Sequence, residues 1–329
     1  MHIDQRKELL WRAAPLLLAA VLFTAFASPA SALFGRGKEE TPAPVEGAPI
    51  AQNLAVRVYR GIPYTGTLAA IDRTGGGLSF SIVTGPSKGT VTLDGESFVY
   101  TSGSRCGADQ FTYLATDSEG RSSAPATVRI TIERAKSGVT YDDMSGNAAY
   151  TAAVDLAEHS VFVGTQVGGK RFFEPDRPVS RVEFITMALA AADIPAEDSA
   201  LTGFCDDADI PLWGKGSAVS ALRCGLIRGV DTPEGVAFCA QSEVSLSEAA
   251  AVLNRLLRVT DVDLSGYYGE SADAWSAQAV ANLESVSVIA SGSFSDGGWQ
   301  RTLTRAEAAQ LLSAAMTLSE KKNGGGLFS

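Results

Sequence analysis

The sequence predicts a multidomain protein in which an all-β sandwich is followed by an all-α region of three repeats. Residues 50–134 alternate apolar and polar side chains in short segments separated by turn residues, which is typical of a β-sandwich. Residues 139–318 contain three copies of a helix-start signal, each followed by an apolar stretch. Recurring signals of this kind indicate a helical repeat.

The N-terminus has the features of a signal peptide, which we predict for residues 1–32. A basic region precedes an apolar run, 15–26, that is short for a membrane span. The run is followed by the cleavage motif Ala30-Ser31-Ala32; the alternative is an uncleaved anchor. Residues 33–49 are rich in proline, glycine and glutamate, so a flexible stalk is expected. No transmembrane segment is expected in the mature chain.

The chain is acidic, with 37 acidic residues against 27 basic ones and a formal net charge of −10. A protein of this charge is not attracted to nucleic acid, so nucleic acid is not expected as a partner. Local basic residues, and not the overall charge, would have to bind any anionic ligand.

Six segments of residues 50–134 are predicted strands because they are short, alternate in polarity and end at turn residues. Asp94-Gly95 lies between two of them and is a hairpin signal. The predicted strands are 54–59, 78–83, 90–93, 97–100, 110–114 and 127–132.

The strand region is similar to a known family. The run 85–91, followed by 98–101 and 109–113, resembles bacterial cadherin-like and Ig-like modules. The resemblance implies a spacer or adhesive unit, with a protein partner that the sequence does not identify. Some such modules bind calcium through carboxylate oxygens, but we favour turn and cap roles for the candidates, so no metal or other cofactor is predicted. The weak calcium candidates are Asp72, Asp109 and Asp117.

The helix-start signal of the second region is a capping box, in which Ser or Thr precedes Glu by three residues. Its copies lie at 179–183, 244–248 and 303–307. Upstream of each copy are a helical pattern that ends near glycine and an aromatic residue with an acid two positions later. The predicted units are repeat 1 at 139–197, repeat 2 at 201–261, repeat 3 at 265–318 and a disordered tail at 319–329.

This order of motifs closely resembles three tandem surface-layer homology (SLH) domains, and the phrase Leu303-Thr304-Arg305-Ala306-Glu307 is its most specific part. The resemblance implies a three-lobed, all-α bundle of three repeats with pseudo-threefold symmetry. It also implies a ligand, the secondary cell-wall polysaccharide of bacteria, often pyruvylated, which is held in grooves between the lobes. The alternative is a generic helical repeat without a ligand.

The resemblance also implies ligand residues, namely a Trp of the first helix and an Arg after the capping hydroxyl. Repeat 1 has Ala148 in place of that Trp and repeat 2 has Leu246 in place of that Arg, so fewer than three working grooves are expected. Trp275 and Arg305 mark the best one. The alternative is that both Trp are core residues and both Arg are solvated. The candidates are Trp213, Trp275, Arg181 and Arg305, with the acids Asp143 and Asp206.

Four cysteines, Cys106, Cys205, Cys224 and Cys239, occur in the chain, and export would permit disulfides. Cys205 and Cys239 each follow a phenylalanine ahead of a helix, so we predict a bridge between them, with Cys224 buried and reduced. A Cys224–Cys239 bridge is the main alternative.

Catalytic motifs are missing from the sequence, so an enzyme is not expected. His159 is the one histidine after residue 32 and is placed near a helix end. The acids Asp206, Asp207 and Asp209 precede a helix and are interpreted as caps.

The predicted function is a non-catalytic bacterial surface protein that is anchored noncovalently to wall polysaccharide and displays the sandwich. The alternatives are a structural subunit of a surface layer or appendage, and a wall-modifying enzyme carried on an anchor.

Overall fold

A computed structural model describes residues 47–72, 75–199, 201–264, 274–289 and 298–323. The predicted signal peptide and most of the predicted stalk lie outside the described residues, as do Tyr268 and Glu270 of repeat 3. No helix in the described ranges is both long enough and apolar enough to cross a membrane.

Two facing sheets form the sandwich, in the strand orders β2-β9-β8-β5 and β3-β7-β6, and a short β1–β4 pair lies beside them. Its strands are β1 (Ile50–Ala51), β2 (Leu54–Tyr59), β3 (Tyr64–Thr67), β4 (Ala70–Ile71), β5 (Ser79–Thr84), β6 (Gly89–Asp94), β7 (Ser97–Ser102), β8 (Gly107–Thr116) and β9 (Ala126–Glu133).

The six predicted strands are confirmed with small shifts at their ends, whereas β1, β3 and β4 were not predicted. Short strands separated by turns favour an antiparallel sandwich, but the pairing is not wholly antiparallel, since β2 pairs with β9 in parallel. The hairpin signal is confirmed: Asp94 pairs with Ser97, and Gly95 begins the two-residue loop with a positive φ of 59°.

Alternating residues of the strands build the sandwich core. In β9, for example, Val128, Ile130 and Ile132 are buried and the residues between them are not. Phe98 and Phe111 meet edge to face at 5.2 Å in the same core. The period-2 pattern of the sequence therefore selects the buried face of each strand.

Among its described residues, the second part of the chain contains six α-helices and two short hairpins, so the all-α prediction is wrong in this detail. Helix α6 also extends beyond Leu318, into the predicted disordered tail. The elements are α1 (Tyr150–Glu158), β10 (Thr165–Val167), β11 (Lys170–Phe172), α2 (Arg181–Ala191), α3 (Leu212–Arg223), β12 (Val230–Thr232), β13 (Gly235–Ala237), α4 (Leu246–Leu257), α5 (Ala274–Ser285) and α6 (Arg305–Asn323).

All three capping boxes are formed. The Ser180 and Ser245 hydroxyls accept hydrogen bonds from the amides of Glu183 and Glu248, whose carboxylates accept from the cap amides in return. In repeat 3, Thr304 N donates to the Glu307 carboxylate at 2.9 Å, and Glu307 N donates to the Thr304 hydroxyl at 3.3 Å. These reciprocal bonds satisfy amides that a helix start leaves unpaired.

The three segments before these helices close a ring of backbone hydrogen bonds. Val179 N donates to Leu303 O at 3.0 Å, Leu303 N to Val244 O at 3.0 Å, and Val244 N to Val179 O at 2.9 Å. Around this ring, the second helix of each repeat packs on the first helix of the next, in the pairs α2–α3, α4–α5 and α6–α1. The described residues thus form a bundle with pseudo-threefold symmetry.

Two glycines of α3 allow its backbone to approach α2 and the segment that follows α2. A side chain at Gly214 would come within 2.2 Å of Val182, and one at Gly216 within 2.2 Å of the Glu197 carbonyl oxygen. Glycine at these two helical positions therefore permits a contact that alanine would block.

The sandwich docks on the bundle through β2. Tyr59 and Ile62 belong to the hydrophobic core of the helical part. The buried carboxylate of Asp155 in α1 accepts hydrogen bonds from Arg57 at 2.6 Å and Tyr59 at 2.9 Å, and from Ser313 of α6 at 2.6 Å. Polar groups of both parts therefore meet at one buried charge.

Candidate functional site

One groove between the repeats combines three arginines with an exposed indole, and we call it the arginine groove. Its volume is about 310 Å³. Arg181 begins α2 of repeat 1, Arg228 and Arg255 belong to repeat 2, and Trp275 is the second residue of α5 in repeat 3. The ring arrangement thus brings side chains of three repeats to one place.

The arginine groove has an excess of positive charge. Among the described residues that line it, Glu248 is the single acid, and its carboxylate lies 2.5 Å from the Arg181 guanidinium. Burial, together with the nearby charges of Arg228 and Arg181, lowers the pKa of Arg255. An anion bound here would therefore meet cations that the protein leaves only partly neutralised.

An exposed aromatic side chain also suits the arginine groove to a ligand. The indole of Trp275 is 57% exposed, although large apolar side chains are usually covered. The alternative that this Trp is a core residue is wrong.

A second cleft surrounds Trp213, which is 58% exposed and so is not a core residue either. This cleft has a volume of about 430 Å³. Its charged lining residues, counted among the residues that the structure describes, are Arg177, Glu183 and Glu243. With two acids against one arginine, the Trp213 cleft offers an aromatic surface without an excess of positive charge.

Arg305 occupies a buried position, which corrects its expected place beside Trp275. The residue is 3% exposed. Its guanidinium donates to Phe173 O at 2.7 Å and to the Glu174 carboxylate at 3.1 Å, and it lies 4.9 Å above the Phe162 ring. The arginine after the cap faces the next repeat around the ring, so Arg181, and not Arg305, lies in the groove with Trp275. The alternative of a solvated Arg305 is also wrong.

Asp143 and Asp206 hold the turn that follows each hairpin. Asp143 accepts hydrogen bonds from the amides of Phe173 at 2.9 Å and Glu174 at 2.6 Å. Asp206 accepts from the two equivalent amides of repeat 2, each at 2.7 Å. Because both oxygens of each carboxylate are used in this way, the structure gives them a structural role; a ligand role stays a prediction.

The comparison with protein families identifies one part of the chain: the family model described as "Bacterial Ig domain" matches residues 46–131. We call this part of the chain, an Ig-like β-sandwich, the Ig domain. No SLH domain is detected, so that resemblance stays a prediction. No curated protein matches the chain.

Several solved structures resemble the Ig domain at low similarity. An endo-fucoidan hydrolase of glycoside hydrolase family 107 is 17% identical, with 31% of this chain and 16% of that chain covered and a TM-score of 0.24. The SrpA adhesin R347E mutant from Streptococcus sanguinis is 16% identical, with 36% and 81% covered and a TM-score of 0.23. Titin domain M7 is 14% identical, with 28% and 99% covered and a TM-score of 0.18. None of these likenesses bears on function.

The weak calcium candidates of the Ig domain are bonded to the protein. Asp109 accepts from Ser87 and Lys88 amides, both at 2.8 Å, and these bonds lower its pKa against the effect of burial. Asp117 pairs with Arg121 at 2.8 Å, and Asp72 interacts electrostatically with the same arginine. Within the described ranges, no group of three or more His, Cys, Asp or Glu residues could hold a metal ion.

The four cysteines are free thiols in the structure, so the predicted Cys205–Cys239 bridge is not formed. The Cys205 thiol faces the β12–β13 hairpin, where its sulfur lies 3.7 Å from the Thr232 hydroxyl. Cys239 sits in the turn held by the Asp206 carboxylate. Cys224 caps the end of α3 and is exposed, so its predicted burial is wrong.

Two positions lack the ligand residue that the resemblance implies. Leu246 is buried, at 3% exposure. Ala148 lines a cavity beside the Ig domain.

His159 is found at the predicted helix end, as the C-cap of α1. Arg228 and Arg255 were missed by the sequence analysis because neither lies in a recurring motif.

Proposed function

We propose that this protein is a non-catalytic bacterial surface protein that binds secondary cell-wall polysaccharide through its helical repeats and displays the Ig domain. The observation that carries the proposal is the arginine groove, in which, among the described residues, three guanidinium groups and an exposed indole face a single carboxylate. This local excess of positive charge contrasts with the net charge of −10 of the whole chain.

The chemistry of the groove fits a sugar that carries a carboxylate. An indole presents a flat apolar face and one N–H donor, which suit a sugar ring. A guanidinium pairs with a carboxylate through two parallel hydrogen bonds. The pyruvylated polymer implied by the SLH resemblance presents both groups, and Arg228, Arg255 and Trp275 would bind them.

The cell-surface location is supported by the Ig domain, whose family model is bacterial, and by the predicted signal peptide. Under this proposal, the helical repeats are the anchor and the Ig domain is the displayed module. Its own partner would be a second protein or glycan at the cell surface.

The test is a pull-down with purified cell walls, before and after acid extraction of the secondary polymer. We expect Arg228→Gln to weaken binding by about tenfold or more, because hydrogen bonds to charged groups contribute roughly 1.5–3 kcal/mol. Trp275→Ala should weaken binding as well, because it removes the flat apolar face of the indole. Both residues are exposed, so the melting temperature should not change.

The matched control is Arg223→Gln, which removes the same charge from an exposed arginine of repeat 2 that pairs with Glu197. This variant should bind like the parent. Binding that survives removal of the polymer would contradict the proposal and favour a surface-layer subunit that uses its repeats for protein contacts. Parent-like binding by Arg228→Gln would show that the ligand does not use the arginine groove.

A further inference from the structure

A second cavity lies where the Ig domain meets the bundle, and we call it the joint cavity. Its volume is about 380 Å³, within the range of small-molecule sites. The Ig domain contributes Arg57, Tyr64 and Thr65 to its lining, and helices α1 and α6 contribute most of the rest. Neither part of the protein encloses this space alone.

The joint cavity is electrically balanced, unlike the arginine groove. Its two charged lining residues among those described are Arg57 and Asp155, which are bonded to each other at 2.6 Å. Tyr59 and Ser313 complete the hydrogen bonds of the same carboxylate. Because these two charges pair with each other, the cavity attracts neither anions nor cations, and a neutral ligand fits it best.

Neutral hydrogen-bonding groups line the remainder of the cavity. Hydroxyls come from Thr65 of the Ig domain and from Thr151 and Thr317 of the bundle, and an amide comes from Gln310. The Thr151 hydroxyl is buried and has no hydrogen-bond partner within the described part of the chain. Buried polar groups are normally paired, so a χ1 rotation that turns this hydroxyl into the cavity would let it pair with a bound hydroxylated molecule.

Small apolar side chains form one wall of the cavity, which gives a ligand both kinds of contact. Ala148, Ala152 and Ala314 lie among the lining residues. Ala148 holds the sequence position that Trp213 and Trp275 hold in the other repeats, so the space of an indole is open here. An apolar wall with hydroxyl and amide groups around it matches a sugar ring, which has C–H faces and a rim of hydroxyls.

We infer that the joint cavity is a binding site for a neutral saccharide unit, held jointly by the Ig domain and the helical bundle. The inference does not rest on the proposed function, because the two sites share no lining residue and favour ligands of different charge. Ligand binding at this place would bridge the two parts of the chain.

The test is ligand-observed NMR on the full chain with three neutral disaccharides, maltose, cellobiose and N,N′-diacetylchitobiose. Glucuronic acid is the charged comparison. We expect saturation transfer to at least one neutral sugar and a three- to tenfold weaker affinity in Thr151→Val, which is about the effect of one uncharged hydrogen bond. Thr65→Val, in the Ig domain, should also weaken the binding of the same sugar.

The matched control is Thr186→Val, because the Thr186 hydroxyl in α2 is also buried without a partner among the described residues but lies outside the cavity. Its binding and its melting temperature should equal those of the parent. Arg228→Gln should also bind the neutral sugar with the affinity of the parent, which distinguishes this site from the arginine groove.

Three results would overturn the inference. The first is that no neutral disaccharide binds at about 10 mM, a concentration that exceeds even millimolar dissociation constants. The second is that Thr151→Val and Thr65→Val both bind like the parent. The third is an equal loss of affinity in Thr186→Val.

Discussion

Replacing Arg305 by alanine should destabilise the fold and not merely weaken ligand binding. The guanidinium is almost completely buried, donates to Phe173 O at 2.7 Å and lies 4.9 Å from the Phe162 ring centroid. A hydrogen bond from a charged group contributes about 1.5–3 kcal/mol, and a desolvated cation–π contact about 2 kcal/mol. The Glu174 partner is 42% exposed, so that pair contributes less than about 1 kcal/mol.

Together these contacts predict a loss of about 3–5 kcal/mol in the free energy of unfolding, measured by urea denaturation. Arg305→Lys should recover only part of it, because an ammonium cannot reproduce the planar contact with both the ring and the carbonyl. The control is Arg228→Ala, an exposed arginine whose loss should change stability by less than about 0.5 kcal/mol.

A loss below about 1 kcal/mol for Arg305→Ala would refute this reasoning, since that size is typical of a solvated arginine. Full stability in Arg305→Lys would refute it as well, because a point charge would then suffice. Either result would return Arg305 to the set of candidate ligand residues.

Two further predictions concern titration and thiol reactivity. Lys215 and Thr202 hold the pKa of Asp207 at about 2, below the ordinary 3.8. Because the folded pKa is depressed, the stabilisation by these contacts is complete above about pH 4 and disappears as the pH falls toward 2. In Asp207→Asn the melting temperature should therefore vary less with pH between 4 and 2. A pH dependence equal to that of the parent would contradict the assignment. In the folded protein without reductant, a maleimide should label the exposed cysteines, as read by peptide mass spectrometry; resistance of Cys205 would instead support the bridge to Cys239. The exposed cysteines are Cys106, Cys205 and Cys224.

Local signals in the sequence determined the helix starts and most of the strands. Each capping box joins a hydroxyl and a glutamate only three residues apart, so its bonds form within one helical turn whatever surrounds it. The alternating pattern of β9 likewise specifies which of its residues face a core. These features were predictable because their physical causes lie within a few residues of chain.

Pairings between distant segments were not predictable in the same way. The parallel β2–β9 pair joins the two ends of the Ig domain, and the short hairpins β10–β11 and β12–β13 have no strong alternating pattern. Exposure of Cys224 at the end of α3 also depends on which face of that helix meets α2. The local sequence does not encode the neighbour that covers a residue.

The candidate site was also predictable only in part from the sequence. The resemblance to SLH domains singled out Arg181, Trp275 and Arg305 as candidate ligand residues, and it assigned the last two to one groove because they share a repeat. The ring of backbone hydrogen bonds decides otherwise, because it turns the start of each capped helix toward the following repeat. It thereby buries Arg305 against repeat 1 and brings Arg181 to Trp275, with Arg228 and Arg255 beside them. Residue types follow from the sequence, but which of them share a groove depends on the packing of all three repeats.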